Sequence, residues 1–193
     1  MKKESKKVVI GTIIFIVVFA VALGVALFVY NRLSESILPE QFFLVRGEDG
    51  EIVPLPAADF TVIDREGEEV HFANQLAQGR PIVLNFWASW CPPCRAGMPD
   101  FNRGYQQFGD EVIFMMVNLT DGRRETKEGA IGYIDEEGYS FPIYFDTEAS
   151  ASEAYIVQRI PITFFINREG NVVNVIMGQM SEAVLREEIE RIK

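Results

Sequence analysis

The chain has 193 residues, of which 48% are apolar, 12% aromatic and 24% charged, and it contains only two Cys. That length suits one domain with appendages, and the composition excludes a disordered chain, a collagen-like repeat and a disulfide-stapled miniprotein. The net charge of −10 is unevenly spread: residues 1–7 hold four Lys and one Glu, and subtracting their +3 leaves −13 for the remainder. A body that acidic is repelled by phosphate backbones, which argues against nucleic-acid binding.

In chain order, residues 1–7 form a basic tail. Residues 8–30 (VVIGTIIFIVVFAVALGVALFVY) run for 23 positions without a charge. As a helix rising 1.5 Å per residue this segment is about 34 Å long, enough to cross a hydrocarbon core of about 30 Å. A cleaved signal peptide has a shorter apolar region of about 7–15 residues. The small-x-small triplets Ala20-Val21-Ala22 and Gly24-Val25-Ala26 also lie inside the run, not after it. The expectation is a single-pass transmembrane signal anchor in the cell membrane. Lys2, Lys3, Lys6 and Lys7 keep the tail cytoplasmic by the positive-inside rule, and the C-terminal body is then extracytoplasmic. Residues 31–56 read as an extracytoplasmic tether interrupted by Pro39, Pro54 and Pro56. Phe42–Val45 and Ile52-Val53, around Gly47-Glu48-Asp49-Gly50, could form a small hairpin within it.

Residues 57–193 alternate between strand and helix signals. Phe60–Ile63 and Val70–Phe72 form an N-terminal hairpin. Ile82–Ala88 is almost wholly apolar, as a strand buried on both faces requires. Cys94, Met98, Phe101, Tyr105 and Phe108 then mark one stripe of an amphipathic helix, expected to kink at Pro99. Val112–Asn118 (strand), Arg124–Glu137 (helix) and Phe141–Phe145 (strand) follow, then a short helix over Ser150–Tyr155. Ile162–Ile166 and Val172–Met177 are joined by a hairpin turn at Arg168–Asn171. Ser181 caps a last helix with Leu185, Ile189 and Ile192 on one face. Helices between strands imply a parallel core, and the last hairpin adds an antiparallel edge, so the fold class is a single α/β sandwich of about 135 residues.

Chemistry concentrates in Trp87-Ala88-Ser89-Trp90-Cys91-Pro92-Pro93-Cys94, where a buried strand gives way to a helix. Cys91 falls at about the helix N-cap, where unpaired N–H groups and the positive helix end favour a thiolate. Cys94 lies one turn on and can reach back. The pattern suggests a reversible disulfide with an exposed attacking sulfur at Cys91 and a shielded resolving one at Cys94. A purely structural disulfide is a weaker reading, because a four-residue loop is worth about 2 kcal/mol against about 3 for fifteen residues. A zinc site wants four ligands, and His71 is the one other soft candidate, on a predicted strand upstream. A copper-delivering or purely binding module would likewise need His71 to converge on the thiols. The Asn118-Leu119-Thr120 sequon sits at a strand end and reads as coincidence.

The strand–WASWCPPC–helix unit resembles the thioredoxin superfamily, and its details resemble the membrane-anchored, extracytoplasmic thiol-disulfide oxidoreductases of the TlpA/ResA type. The likeness covers the N-terminal hairpin, LNFWASWCPPCRAGMP, a central strand–helix insertion, and RIPITFFINREGNVV near the end. It implies a thioredoxin-like fold, with a central mixed sheet flanked by helices. It also implies that Pro161, after Ile160, is a cis-proline opposite the dithiol, where exposed backbone pairs with an extended substrate segment. Cys91 and Cys94 are then the catalytic pair, while Trp90, Pro92, Pro93, Ile160 and Pro161 shape the substrate surface. No cofactor beyond the dithiol is expected. Implied partners are extracytoplasmic client disulfides, apocytochrome c and envelope proteins among them, and a membrane-embedded electron donor of the CcdA or DsbD type.

Three departures from the superfamily pattern matter. Asn85 stands where thioredoxins carry a buried Asp, and an amide cannot act as a general base. Gly97 stands where cytochrome-maturation members often have Glu. Pro92-Pro93 offers no N–H to the Cys91 thiolate, which disfavours a strong oxidant and leans towards a reductase. A disulfide-forming oxidase would use the same residues. No Pro-x-x-x-Thr-x-x-Cys arrangement supports a peroxidase.

Overall fold

The computed structural model describes residues 19, 21, 23–25, 44–46 and 52–193. They belong to two compact units, one within residues 1–39 and one within residues 40–193. The basic tail, most of the expected anchor and most of the tether lie outside the described residues. In the first unit, Phe19, Val21, Leu23, Gly24 and Val25 are helical and exposed. No helix among the described residues is long and apolar enough to cross a membrane.

The second unit is a thioredoxin-like α/β fold. Its elements are β1 (Leu44–Arg46), β2 (Ile52–Pro56), β3 (Thr61–Ile63), β4 (Glu69–His71), α1 (Phe72–Leu76), β5 (Ile82–Trp87) and α2 (Pro92–Phe108). There follow β6 (Ile113–Asn118), α3 (Lys127–Glu137), β7 (Ile143–Phe145), α4 (Ser150–Ala154), β8 (Ile162–Ile166), β9 (Asn171–Met177) and α5 (Glu182–Ile192). One sheet runs in the order β1-β2-β9-β8-β5-β6-β7-β3-β4. β5, β6 and β7 are mutually parallel, whereas β8 lies antiparallel against β5 and β9 antiparallel against β8. The sheet is therefore mixed, with β5 near its centre.

β5 explains how the two layers form. Val83 and Trp87 enter one apolar cluster with Met98 and Phe101 of α2 and Leu185 and Ile189 of α5. Ile82, Leu84 and Phe86 enter a second cluster on the opposite face with Phe72, Ala151 and Tyr155. This is the two-residue alternation of a strand, and all six β5 residues are buried because both faces are covered. α2 and α5 approach closely at Gly104, where an added Cβ would come within 2.7 Å of Leu185 Cδ2.

Two elements extend the sequence reading. β2 pairs with β9 through Leu55 opposite Val172 and Pro56 opposite Asn171, so the sheet continues upstream of Ala57. β1 and β2 form the small hairpin foreseen in that stretch, with Val45 opposite Val53. The short helix α1 follows β4 directly and places Phe72 in the core. α2 continues as one helix through Pro99.

Candidate active site

The chain turns from β5 into α2 over Ala88–Cys91. Cys91 has extended backbone angles (φ −88°, ψ 108°) and is the N-cap of α2. Pro92 and Pro93 fill the first helical positions, where a missing N–H costs least and the fixed φ suits the helix. The first donor reaching back to the cap is therefore Cys94 N–H, 3.3 Å from Cys91 Sγ. Cys91 and Cys94 are joined in a disulfide with their Cα atoms 5.2 Å apart.

The loop before β8 closes over this sulfur. The Ile160–Pro161 peptide bond is cis, and the Ile160 carbonyl oxygen lies 3.8 Å from Cys91 Sγ. A disulfide sulfur has no proton, so in this state the approach is a packing contact; a Cys91 thiol could donate along the same line. The Pro161 carbonyl already accepts from Gly178 N–H at 2.8 Å, which ties the loop to the end of β9.

The sequence pattern suggests an exposed Cys91 beside a shielded Cys94, whereas in the disulfide each residue is only 3% exposed. The covering group at Cys91 is the Ile160 carbonyl, brought in from 69 residues away. Trp90, by contrast, is 39% exposed, and the Arg124 guanidinium sits 3.5 Å above its ring. Pro92 and Pro93 are exposed beside it. The exposed surface beside the disulfide is thus formed by Trp90 and the two prolines, with Ile160 half-buried and Pro161 buried behind them.

Polar side chains on β5 and α2, the two elements that carry the dithiol, are tied down by their neighbours. Asn85 is buried in β5, and its Nδ2 donates to Thr163 Oγ1 (2.8 Å) and the Ile162 carbonyl (3.4 Å). It links β5 to β8 and supplies no base. Arg95 in α2 lies over the Tyr133 ring at 4.8 Å and pairs with Glu137 at 4.0 Å. Tyr139 packs edge-on against Tyr133. Burial, reinforced by Tyr133, pushes its hydroxyl up to about 12, so it stays protonated through the neutral range.

His71 is placed far from this chemistry. It ends β4, an edge strand separated from β5 by β6, β7 and β3, and its exposed ring pairs with Thr61 Oγ1 at 3.0 Å. At about 4.8 Å per strand it cannot converge on the thiols, which removes the sequence basis for a thiolate–histidine metal site. Asn118 is likewise unavailable as a glycosylation acceptor: it is fully buried, with its Nδ2 donating to Glu125 Oε1 at 2.6 Å.

Glu125 is the residue near the site that sequence reading missed. It is 1% exposed. Oε1 accepts from Ser89 N–H at 2.8 Å as well as from Asn118, and Oε2 accepts from Ser89 Oγ at 2.8 Å. A charged residue in a polar loop gives no periodic signal of burial, and its partner Ser89 lies 36 positions upstream.

A reversible dithiol capping the helix after a central strand, faced by a cis-proline loop, defines a thioredoxin-like thiol-disulfide oxidoreductase. Residues 53–175 match the model of the AhpC/TSA family, and the chain belongs to that family. It is 32% identical over 138 residues to thiol-disulfide oxidoreductase ResA of Bacillus subtilis (strain 168), covering 71% of this chain and 74% of that one. A ResA of Geobacillus thermodenitrificans (strain NG80-2) is 29% identical over 194 residues and 99% of each chain. Among solved structures, StoA from Bacillus subtilis superposes with a TM-score of 0.60 at 29% identity, over 70% of this chain and 98% of that one.

Proposed function

We propose that this oxidoreductase works as a membrane-tethered reductase of extracytoplasmic client disulfides. The observation that carries the chemistry is Cys91 at the N-cap of α2, bonded to Cys94 and faced by the Ile160 carbonyl. In the reduced protein the Cys91 thiolate attacks a client disulfide and expels one client thiolate, giving a mixed disulfide. Cys94, deprotonated, attacks Cys91 Sγ and expels the second client thiolate. The client gains two electrons and two protons, and Cys91–Cys94 becomes oxidised. A membrane-embedded dithiol donor of the CcdA or DsbD type restores the pair by the same exchange in reverse.

The start of α2 favours the reducing direction. With Pro92 and Pro93 at its first positions, Cys94 N–H is the first backbone donor available to the sulfur. A less stabilised thiolate favours the disulfide form of the protein, which makes the dithiol a better reductant. The 23-residue uncharged run and the four Lys that precede it support tethering. A tether would hold the domain at high effective concentration beside a membrane donor. Apocytochrome c and envelope proteins are the client classes that fit such a location.

Trapping tests the reading. Cys94→Ser cannot resolve the mixed disulfide, so membranes of cells expressing it should accumulate client adducts at Cys91, identifiable by mass spectrometry. Unmodified Cys91 in that variant would contradict the exchange mechanism. Adducts only with an oxidising membrane partner would reverse the proposed direction.

A further inference from the structure

We propose that Glu125 is a positioning residue for the attacking thiol: from the loop before α3 it clamps Ser89, two residues before Cys91, and so holds the turn that presents Cys91 as the helix cap. Two consecutive loop residues hold two consecutive residues of the motif. Glu125 accepts from both donors of Ser89, its N–H and its hydroxyl, and Arg124 lies over the ring of Trp90. The loop is itself braced, since Asp121 Oδ1 accepts from the N–H groups of Arg123, Arg124 and Glu125 at 2.8–2.9 Å. Those backbone donors, Glu125 N–H foremost, hold the Asp121 carboxyl below the usual carboxylate range.

Burial makes the arrangement informative. A carboxylate stripped of water is costly unless it is hydrogen-bonded, and Glu125 accepts from three donors, two belonging to Ser89. A neutral acceptor of similar shape would hold the same turn at less desolvation cost, but it would grip it less firmly, because bonds to an ionised acceptor are about twice as strong. The turn carries Cys91 into its extended cap conformation, the geometry in which Cys94 N–H points at the sulfur. If the turn relaxes, the helix end and its donor lose their aim, and the thiolate loses stabilisation.

Positioning and simple charge repulsion predict opposite signs. Removing a nearby negative charge would lower the Cys91 thiol pKa, whereas loosening the turn would raise it. This inference rests on Cys91 being the attacking thiol, but its test reads the titration of that thiol in the isolated reduced protein and needs no client. The pH profile of Cys91 alkylation by iodoacetamide, with Cys94 changed to Ser throughout, is measured in Glu125→Ala, Glu125→Gln and Ser89→Ala. Glu125→Ala should move the profile up by about one pH unit, roughly a tenfold slower reaction at neutral pH. Ser89→Ala deletes one of the three bonds and should move it the same way, about two- to threefold in rate. Glu125→Gln can keep all three contacts by donating to a rotated Ser89 hydroxyl; its weaker grip and its lost charge act in opposite directions, so its profile should rise less than that of Glu125→Ala, and an equal or larger rise would overturn the proposal. An unchanged or downward profile in Glu125→Ala overturns the proposal. Should that variant fail to fold, an unchanged profile in Ser89→Ala overturns it equally.

Discussion

The N-terminus of α2 is best understood beside those of α3 and α5. All three helices begin in the same way: an extended cap residue whose side chain accepts from the backbone N–H three positions on. Thr126 accepts from Gly129 at 3.1 Å, Ser181 from Val184 at 3.5 Å, and Cys91 from Cys94 at 3.3 Å. The differences are chemical. α3 and α5 carry an acid in the first turn, Glu128 and Glu182, while α2 has none. The two ordinary helices thus spend their positive ends on fixed hydroxyl caps and carboxylates. α2 leaves its end for a sulfur that can ionise, and places Pro92 and Pro93 where extra donors would otherwise stand. Glu182 shows what such acids do instead: Arg103 and then Arg186 hold its carboxyl below the usual range, in a surface ion-pair cluster. A reactive site here is a common helix cap with one atom exchanged and its competitors removed.

The sharpest way to break that comparison is to make α2 like its neighbours. Cys91→Ser gives α2 a hydroxyl cap; we expect unfolding stability of the reduced protein to remain within about 1 kcal/mol and exchange with a disulfide peptide to fall by at least about 10³-fold. Arg95→Glu brings an acid close to the first turn of α2. It should raise the Cys91 pKa by about 0.5–1 unit in alkylation profiles, weakening with salt. Pro93→Ala sharpens the comparison from the other side by restoring an N–H at an exposed position. It should lower that pKa by about half a unit and make the protein less reducing against glutathione. Ser181→Ala, the smallest effect on the chemistry, should cost about 1 kcal/mol in denaturant unfolding and leave the Cys91 profile where it was.

How much of this was legible in the sequence follows from the range of each signal. Ile82–Ala88, the Met98–Phe108 stripe and the Ser181 cap are local patterns, and each appears as the expected element within a residue or two. Cys91 and Cys94 were legible because a strand-to-helix junction can be read from hydrophobic periodicity on both sides of it. What stayed hidden depends on distant segments. The cover over Cys91 comes from Ile160, and the clamp on Ser89 from Glu125. Ile52-Val53 was legible as one arm of a hairpin, but the continuation of that strand to Pro56, through two prolines, is held by pairing to Val172 and Asn171. Phe72–Leu76 does not announce itself, because a five-residue helix is too short for a helical period to show.

The central claim is that the helix end singles out one sulfur of the pair as the nucleophile although both are equally buried in the disulfide. The direct measurement is differential alkylation of the reduced wild-type protein as a function of pH, with each cysteine quantified by mass spectrometry. Cys91 should be modified first, with an apparent pKa below the ordinary value of about 8.5, and Cys94 only well above it. Equal modification of the two, or Cys94 reacting first, would contradict the account.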